Sequence, residues 1–329
     1  MQAMKKRLMI LLFCLAGMVS AKAQQDAQFS QYIFNGLYIN PAYAGYRGVW
    51  NANAFYRNQW SGFPGGPKTV SVALDGVARD GKYGLGLNIS NDEIGLQGTS
   101  SLYASYAFRI PVGAEENDRT FSIGISAGFL QNRIKVGDYD PTDPTDGDPT
   151  LYNSLRTKFT PDARIGVFYS TNRFFAGLSA DNLISQAYDA KKDPGNIFTE
   201  RKIHMYATVG GLLPLSEAIQ LKPSILIKED FAGPTSLDIN AFVLINKILW
   251  IGAGYRTAVF NKELIQNDLK KSGAVIGMAE VFIGQKIRLG YAYEYTTNVV
   301  GMGGYPTNEI SISYFFIHPK AKMLSPRYF

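Results

Sequence analysis

Near its end the chain reads Lys286-Ile-Arg-Leu-Gly-Tyr-Ala-Tyr-Glu-Tyr295. Side chains of an extended strand alternate between two faces. Ile287, Leu289, Tyr291, Tyr293 and Tyr295 therefore share one face, and Arg288, Gly290, Ala292 and Glu294 share the other. A helical period of 3.6 would scatter the aromatic residues around the axis. The segment is a strand with an oily aromatic face and a small or charged face, and segments of this kind recur along the chain. In a soluble sandwich the oily face points inward, whereas in an outer-membrane barrel it points at lipid. Alternation alone leaves both arrangements open.

The beginning of the chain narrows the choice. Lys5, Lys6 and Arg7 precede an apolar run from Leu8 to Val19, and Ala21-Lys22-Ala23 supplies small residues around a cleavage position. This pattern predicts a secretory signal peptide over residues 1–23. Cys14, the sole cysteine, lies inside the apolar run, so no disulfide framework is expected in the mature chain. The signal carries four of the 33 basic residues and no acid, which leaves 29 basic against 27 acidic residues. That near-balance, without a polybasic patch, argues against nucleic acid as a partner. No later run reaches the length of about 18 apolar residues that a membrane helix needs. An exported chain with 20 Tyr, 20 Phe and 33 Gly and no second apolar helix suggests β-structure in the outer membrane.

Residues 24–48 have a different texture: Asn and Gln are frequent, aromatics are irregularly spaced, and Asn40-Pro41 marks a break. This stretch is expected to be a plug or hatch that packs in the lumen through residues such as Phe29, Tyr32, Asn40, Pro41 and Tyr43. Alternating segments then follow near 49–57, 67–75, 82–90, 99–109, 120–130, 161–170, 174–183, 203–212, 218–228, 236–245, 248–256, 273–282, 286–295 and 308–317. Long and short connections mostly alternate between them, apart from 91–98 and 110–119, where the order is reversed. The expected fold is all-β: a transmembrane up-and-down antiparallel β-barrel of about 14 strands spanning residues 49–317. The even strand number places both termini on the short-turn, periplasmic side and the long loops outside. Residues 318–329 form a periplasmic tail. Its end, Arg327, Tyr328 and Phe329, reads as a docking anchor or as a recognition end for barrel-folding machinery.

In this register Arg57, Arg109, Arg164, Arg256, Arg288, Asp238, Glu280, Glu294 and Glu309 point into the lumen. A selective pore would show one dominant sign at its constriction, whereas these charges are balanced. Buried charges are costly unless paired, so a lumen crossed by ion pairs is expected, with a water-filled lumen as the alternative. Arg57, Glu294 and Glu309 should meet, joined by Arg256, because strands 1, 13 and 14 come together where the barrel closes.

No constellation points to catalysis. Gly124-Ile-Ser-Ala-Gly128 has the spacing of a nucleophile elbow but lies within an alternating strand, where the motif needs a strand-to-helix turn. The only histidines are His204 and His318, little material for a metal centre. Asp138, Asp140, Asp143, Asp146 and Asp148 lack the ligand offsets and closing Glu of a calcium loop, so a solvated external loop is expected over 138–148. No cofactor is expected.

Several stretches resemble the PorP/SprF family of outer-membrane proteins of the type IX secretion and gliding machinery. They include Gln28-Phe29-Ser30-Gln31-Tyr32, Asn35-Gly36-Leu37-Tyr38-Ile39-Asn40-Pro41-Ala42-Tyr43-Ala44-Gly45, Tyr56-Arg57-Asn58-Gln59-Trp60, Leu221-Lys222-Pro223-Ser224, Trp250 to Arg256, Gly290 to Tyr295, Asn308-Glu309-Ile310 and Ser325 to Phe329. Glu294 stands where the family often has Asp. Asn308 stands where it often has His, so a role resting on that histidine is not carried over. The resemblance implies an outer-membrane barrel, in contact with outer-membrane lipid, that holds the C-terminal signal domain of a secreted cargo protein or contacts a periplasmic secretion-machinery or peptidoglycan-associated protein. Asn40-Pro41-Ala42 is also similar to a motif near the N-terminus of fatty-acid-transporter barrels, which implies a transporter of hydrophobic small molecules as the second reading; a general porin is the third.

Overall fold

A computed structural model describes residues 28–78, 81–113, 119–135, 155–189, 198, 201–231, 233–259, 273–297 and 304–317. The long strands are β1 (Trp50–Asn58), β2 (Lys68–Val77), β3 (Tyr83–Ile94), β4 (Gln97–Pro111), β5 (Arg119–Lys135), β6 (Leu155–Thr171) and β7 (Phe174–Asp181). They continue as β8 (His204–Gly211), β9 (Ile219–Glu229), β10 (Thr235–Ile245), β11 (Leu249–Val259), β12 (Gly273–Ile283), β13 (Ile287–Thr296) and β14 (Thr307–Phe316). Each pairs antiparallel with its sequence neighbours, and Leu213–Pro214 adds a two-residue strand against β9. β14 pairs with β1 from Trp50↔Phe316 to Asn58↔Asn308, which closes the barrel. Closure leaves the strands paired on both sides along most of their length, except β6, which meets β7 only over Ile165–Ser170; such pairing is the condition for placing backbone in hydrocarbon.

The alternation resolves in favour of the membrane arrangement. Tyr291, Tyr293 and Tyr295 are 45%, 43% and 50% exposed on the outer face, while Glu294 between them is 5% exposed. On β2, Val70, Val72 and Leu74 face out and Thr69, Ser71, Ala73 and Asp75 face in. Trp50, Tyr56, Tyr106, Phe108, Tyr255, Tyr314 and Phe316 are exposed outer-face aromatics of the kind that form girdles at headgroup level. The interior is packed. Phe29, Tyr32, Ile33, Phe34, Leu37 and Tyr43 from the segment before β1 join Phe55, Phe168, Phe242 and Trp250 of the wall in one buried cluster.

Three details differ from the expectation. β5 and β6 run on to Lys135 and back to Leu155, so the connection expected over 131–160 is shorter. Likewise β3 and β4 meet at a tight turn around Gly95, where a loop over 91–98 was expected. Asn91, Asp92, Glu93, Asn132 and Arg133 look like loop residues because they lack an oily face. A strand needs that face only where it crosses lipid, and these ends rise beyond it. Third, β7 stops at Asp181, where Asn182 adopts φ +63° and starts helix α2 (Leu183–Asp189). Asn tolerates this left-handed backbone better than most residues.

β1 begins and β14 ends at the rim carrying the short turns. Gln28, in contrast, donates through Nε2 to Asp238 Oδ2 (3.0 Å) near the start of β10, at the long-connection end. An even strand count fixes where the first and last strands end, not the course of the segment ahead of them. The stretches 1–23, 138–148 and 318–329, with Arg327, Tyr328 and Phe329, lie outside the described residues.

Candidate functional site: the plugged lumen

The segment ahead of β1 descends through the lumen as short helical pieces: a 3-10 turn at Tyr32–Phe34, α1 (Gly36–Ile39) and a second 3-10 turn at Pro41–Tyr43. Asn40 explains why the chain turns here. Its Oδ1 accepts from Ala42 N (2.9 Å), capping a turn whose first residue, Pro41, has no N–H to satisfy. Its Nδ2 donates to Val167 O (3.1 Å) on β6 and Leu178 O (3.3 Å) on β7, which ties the turn to the wall.

The wall is shaped to receive it. A methyl group on Gly124 would overlap the backbone of Pro41 and Ala42, and one on Gly84 would overlap the carbonyl of Ala44. Gly166 and Gly177 flank the Asn40 amide, and Gly290 lies under the Gln31 side chain. Gly124 of the Gly-x-Ser-x-Gly sequence is thus part of the seat, whereas Gly128 meets Leu102 O and Tyr103 of the wall and Ser126 Oγ hydrogen-bonds Ser105 Oγ (2.6 Å) on the next strand. Among the described residues, crevices between plug and wall measure about 20 and 10 Å³, room for little more than a water molecule.

At the long-connection end a charge cluster grips the start of the plug. Arg57 Nη2 meets Glu294 Oε2 at 3.0 Å and Arg57 Nη1 meets Glu309 Oε2 at 3.2 Å. Arg256 Nη1 approaches Glu294 Oε2 at 2.9 Å, and its Nε approaches Asp238 Oδ1 at 2.9 Å. The carboxylates also bind plug backbone: Ser30 N donates to Glu309 Oε2 (2.8 Å) and Gln31 N to Glu309 Oε1 (2.9 Å). Ser30 Oγ lies 2.8 Å from Glu294 Oε2 and accepts from Arg57 Nη1 at 2.9 Å. Arg57, Glu294, Glu309 and Arg256 are therefore in one network, built by β1, β13 and β14 around the closure with Arg256 reaching in from β11. Phe29, Tyr32, Asn40, Pro41 and Tyr43 are all buried in the lumen. Asn308 lies on the outer face, where it accepts from Tyr291 Oη (2.6 Å) and donates to Ser61 Oγ (2.9 Å).

Two further groups have no counterpart among the sequence-derived site residues. On the opposite wall Arg164 stacks 3.6 Å over the Tyr103 ring, pairs with Asp181 (3.4 Å) and donates to Tyr38 O (3.0 Å). Tyr103 Oη donates to Asp162 Oδ2 (2.7 Å), whose Oδ1 accepts from Ser185 N of α2 (3.1 Å). Toward the short-turn end Phe34 lies between the cations of Lys222 (4.7 Å) and Arg288 (4.6 Å), and Arg288 pairs with Glu280 (3.3 Å). The inward position of Arg164, Arg288 and Glu280 is legible from alternation; their partners come from across the lumen and are not. The recurrent inward glycines were the available signal for a seated plug.

A closed fourteen-stranded barrel with an oily exterior and a packed, ion-paired lumen defines an outer-membrane-type β-barrel with an internal plug. Comparison with solved structures agrees. The Ralstonia pickettii toluene transporter TbuX superposes with a TM-score of 0.53 at 11% identity, covering 86% of this chain and 93% of that one. The CymD monoaromatic hydrocarbon channel superposes with a TM-score of 0.52 at 10% identity, covering 86% and 93%. At such identities the likeness is one of fold. No curated protein matches the sequence. The family model of the type IX secretion system membrane protein PorP/SprF matches residues 21–314, and the chain belongs to that family.

Proposed function

We propose that this chain is a non-enzymatic outer-membrane component of the type IX secretion and gliding machinery. It binds the C-terminal signal domain of a secreted cargo or a periplasmic machinery protein. Residues 1–23 are its export signal, the long connections face the exterior, and the tail at 318–329, with Arg327, Tyr328 and Phe329, is a periplasmic contact. The observation that carries this reading is the filled lumen in a member of a secretion-system family. A barrel whose interior is occupied by its own ion-paired plug serves as a scaffold better than as a conduit. Transport of hydrocarbons or fatty acids, which the TbuX and CymD likeness would favour, needs room for a guest along the lumen, roughly the 150 Å³ that holds benzene. The roomier space of about 390 Å³ is instead lined by Asn58, Phe63, Gly66, Glu93 and Gly95 and touches no plug residue.

Affinity purification of the full chain from native outer membrane, with mass spectrometry of its partners, tests the reading. Stoichiometric recovery of an exported protein carrying a C-terminal signal domain, or of a periplasmic machinery component, is expected. Recovery of the barrel alone, together with saturable uptake of an aromatic hydrocarbon or fatty acid, would overturn it.

A further inference from the structure

The outer wall changes character as β1 to β5 run toward the long connections. Ala54, Val72, Ile89, Leu102 and Phe129 form an apolar register row across these strands. Further up, the row of Tyr56, Val70, Asn91, Ser100 and Gln131 is mixed, and the next, Asn58, Lys68, Glu93, Gly98 and Arg133, is polar. With about 3.3 Å per residue and a strand tilt of about 40°, the polar row stands about 10 Å above the apolar one. It lies on the lipid-facing side of the wall, at the level where hydrocarbon gives way to headgroups.

Over this row the β1–β2 connection encloses a space of about 390 Å³, bounded by Phe63, Asn58, Lys68 and Glu93 and by the backbone of Gly65 and Gly66. Small-ligand sites begin at about 300 Å³. The connections that frame the space, 59–67 and 95–96, are described in full. Its roof is tied down. Gln59 N donates to Pro67 O (2.8 Å), Ser61 N to Pro306 O (2.7 Å) and Gly95 N to Gly65 O (3.0 Å). Trp60 is held at φ +53°, a left-handed backbone that a bulky residue adopts only at a cost. Its ring packs on Phe63, which also meets Tyr305 and is still 37% exposed.

The lining suits one class of headgroup. An aromatic face takes the C–H side of a sugar ring. Asn58 can donate and accept and Glu93 accepts, as sugar hydroxyls require. The exposed Lys68 supplies a point charge for phosphate. Glu93 does not cancel that charge, because Arg133 approaches its carboxylate at 3.7 Å. Arg133 reaches it over Gly98, where a Cβ would come within 3.3 Å of the guanidinium. Below the space Val70, Val72 and Ile89 are exposed apolar surface, which acyl chains can follow. That continuity favours a lipid over a soluble sugar.

We propose that this space holds the phosphorylated sugar headgroup of an outer-leaflet glycolipid. Phe63 lies under the ring, Asn58 and Glu93 take its hydroxyls, and Lys68 takes the phosphate. The choice of leaflet rests on the exterior placement of the long connections proposed above; the site is independent of the cargo.

Native mass spectrometry of the full chain, released from detergent, tests it with three lipids of matched acyl chains. They are a glucosamine phosphate glycolipid, its dephosphorylated form and phosphatidylglycerol. The phosphorylated glycolipid is retained at least about tenfold better than either of the others. Lys68→Gln lowers it to the level of the dephosphorylated form. Phe63→Ala weakens both sugar lipids about tenfold and leaves phosphatidylglycerol unchanged. Millimolar inorganic phosphate does not displace the glycolipid. Both side chains are exposed, so the heat-resistant barrel band is retained in both variants. Equal retention of the three lipids, displacement by phosphate alone, or indifference to both substitutions overturns the site. Lys135→Cys, at the exposed tip of β5, places a single cysteine outside the expected signal and checks the leaflet on intact cells. Labelling by a membrane-impermeant maleimide is expected, and protection from it overturns the exterior orientation. Loss of lipid selectivity with labelling intact overturns the site alone.

Discussion

Arg57 and Glu309 are register partners across the seam where the first strand meets the last, and their side chains meet inside the barrel at 3.2 Å. The pair does two jobs. It crosses the closure, and it turns Glu309 toward the peptide N–H groups of Ser30 and Gln31, where the plug begins. Closing the wall and seating the plug are therefore one set of interactions.

Removing one member of this buried network leaves the others uncompensated, at a cost of about 3–5 kcal/mol. Arg57→Ala should lose that much stability against urea in lipid vesicles, followed by the fluorescence of the three tryptophans. Arg57→Met combined with Glu294→Gln and Glu309→Gln should recover part of the loss, since the stranded carboxylates are gone. Equal stability of Arg57→Ala and the wild type would place the plug's anchorage elsewhere.

Asn40 makes its contacts through both ends of its amide. Asn40→Ala removes the cap on the 41–43 turn and the donors to Val167 O and Leu178 O, a loss of about 1–3 kcal/mol. Because the wall strands pair independently of Asn40, the loss should appear as faster proteolysis within residues 28–48, with the heat-resistant barrel band on gels retained.

The glycine seat predicts a separation of barrel from plug. Gly124→Leu projects a side chain into the space of Pro41 and Ala42, overpacking that costs about 1–3 kcal/mol. The outer alternation of β5 is untouched, so the variant should still insert, with its plug displaced. Unchanged protease resistance of residues 28–48 in this variant would count against the seat.

The outward face is tested by charge. Ile125, 56% exposed on the outer face of β5, should tolerate Leu at a cost under about 1.5 kcal/mol. Arg at the same position should cost about 2–4 kcal/mol if it lies near the bilayer midplane. Equal tolerance of Leu and Arg would mean that Ile125 does not contact hydrocarbon.

Much of this architecture was legible because a barrel wall is written locally. The two faces of β13 follow from Ile287 to Tyr295 alone, and the meeting of Arg57, Glu294 and Glu309 follows from alternation plus strand order. What escaped is what depends on contacts across the lumen or on position above the lipid. Asp162 and Asp181 gain their meaning from Arg164 and Tyr103, whose rings and charges converge only when the barrel is closed. The strand ends at Asn132–Lys135 and Arg156–Lys158 carry no continuous oily face because they stand beyond the hydrocarbon, so they read as loop. Asn182 gave no periodic signal for α2, since a two-turn helix is too short to show one.

The central claim is that the oily face meets lipid while the chain's own plug fills the charged interior, and conductance tests it most directly. In single-channel recordings from planar bilayers, the full-length chain should show no large steady conductance, and Gly124→Leu should open a pore. A large, steady conductance from the unaltered chain, matched by that of Gly124→Leu, would contradict the account.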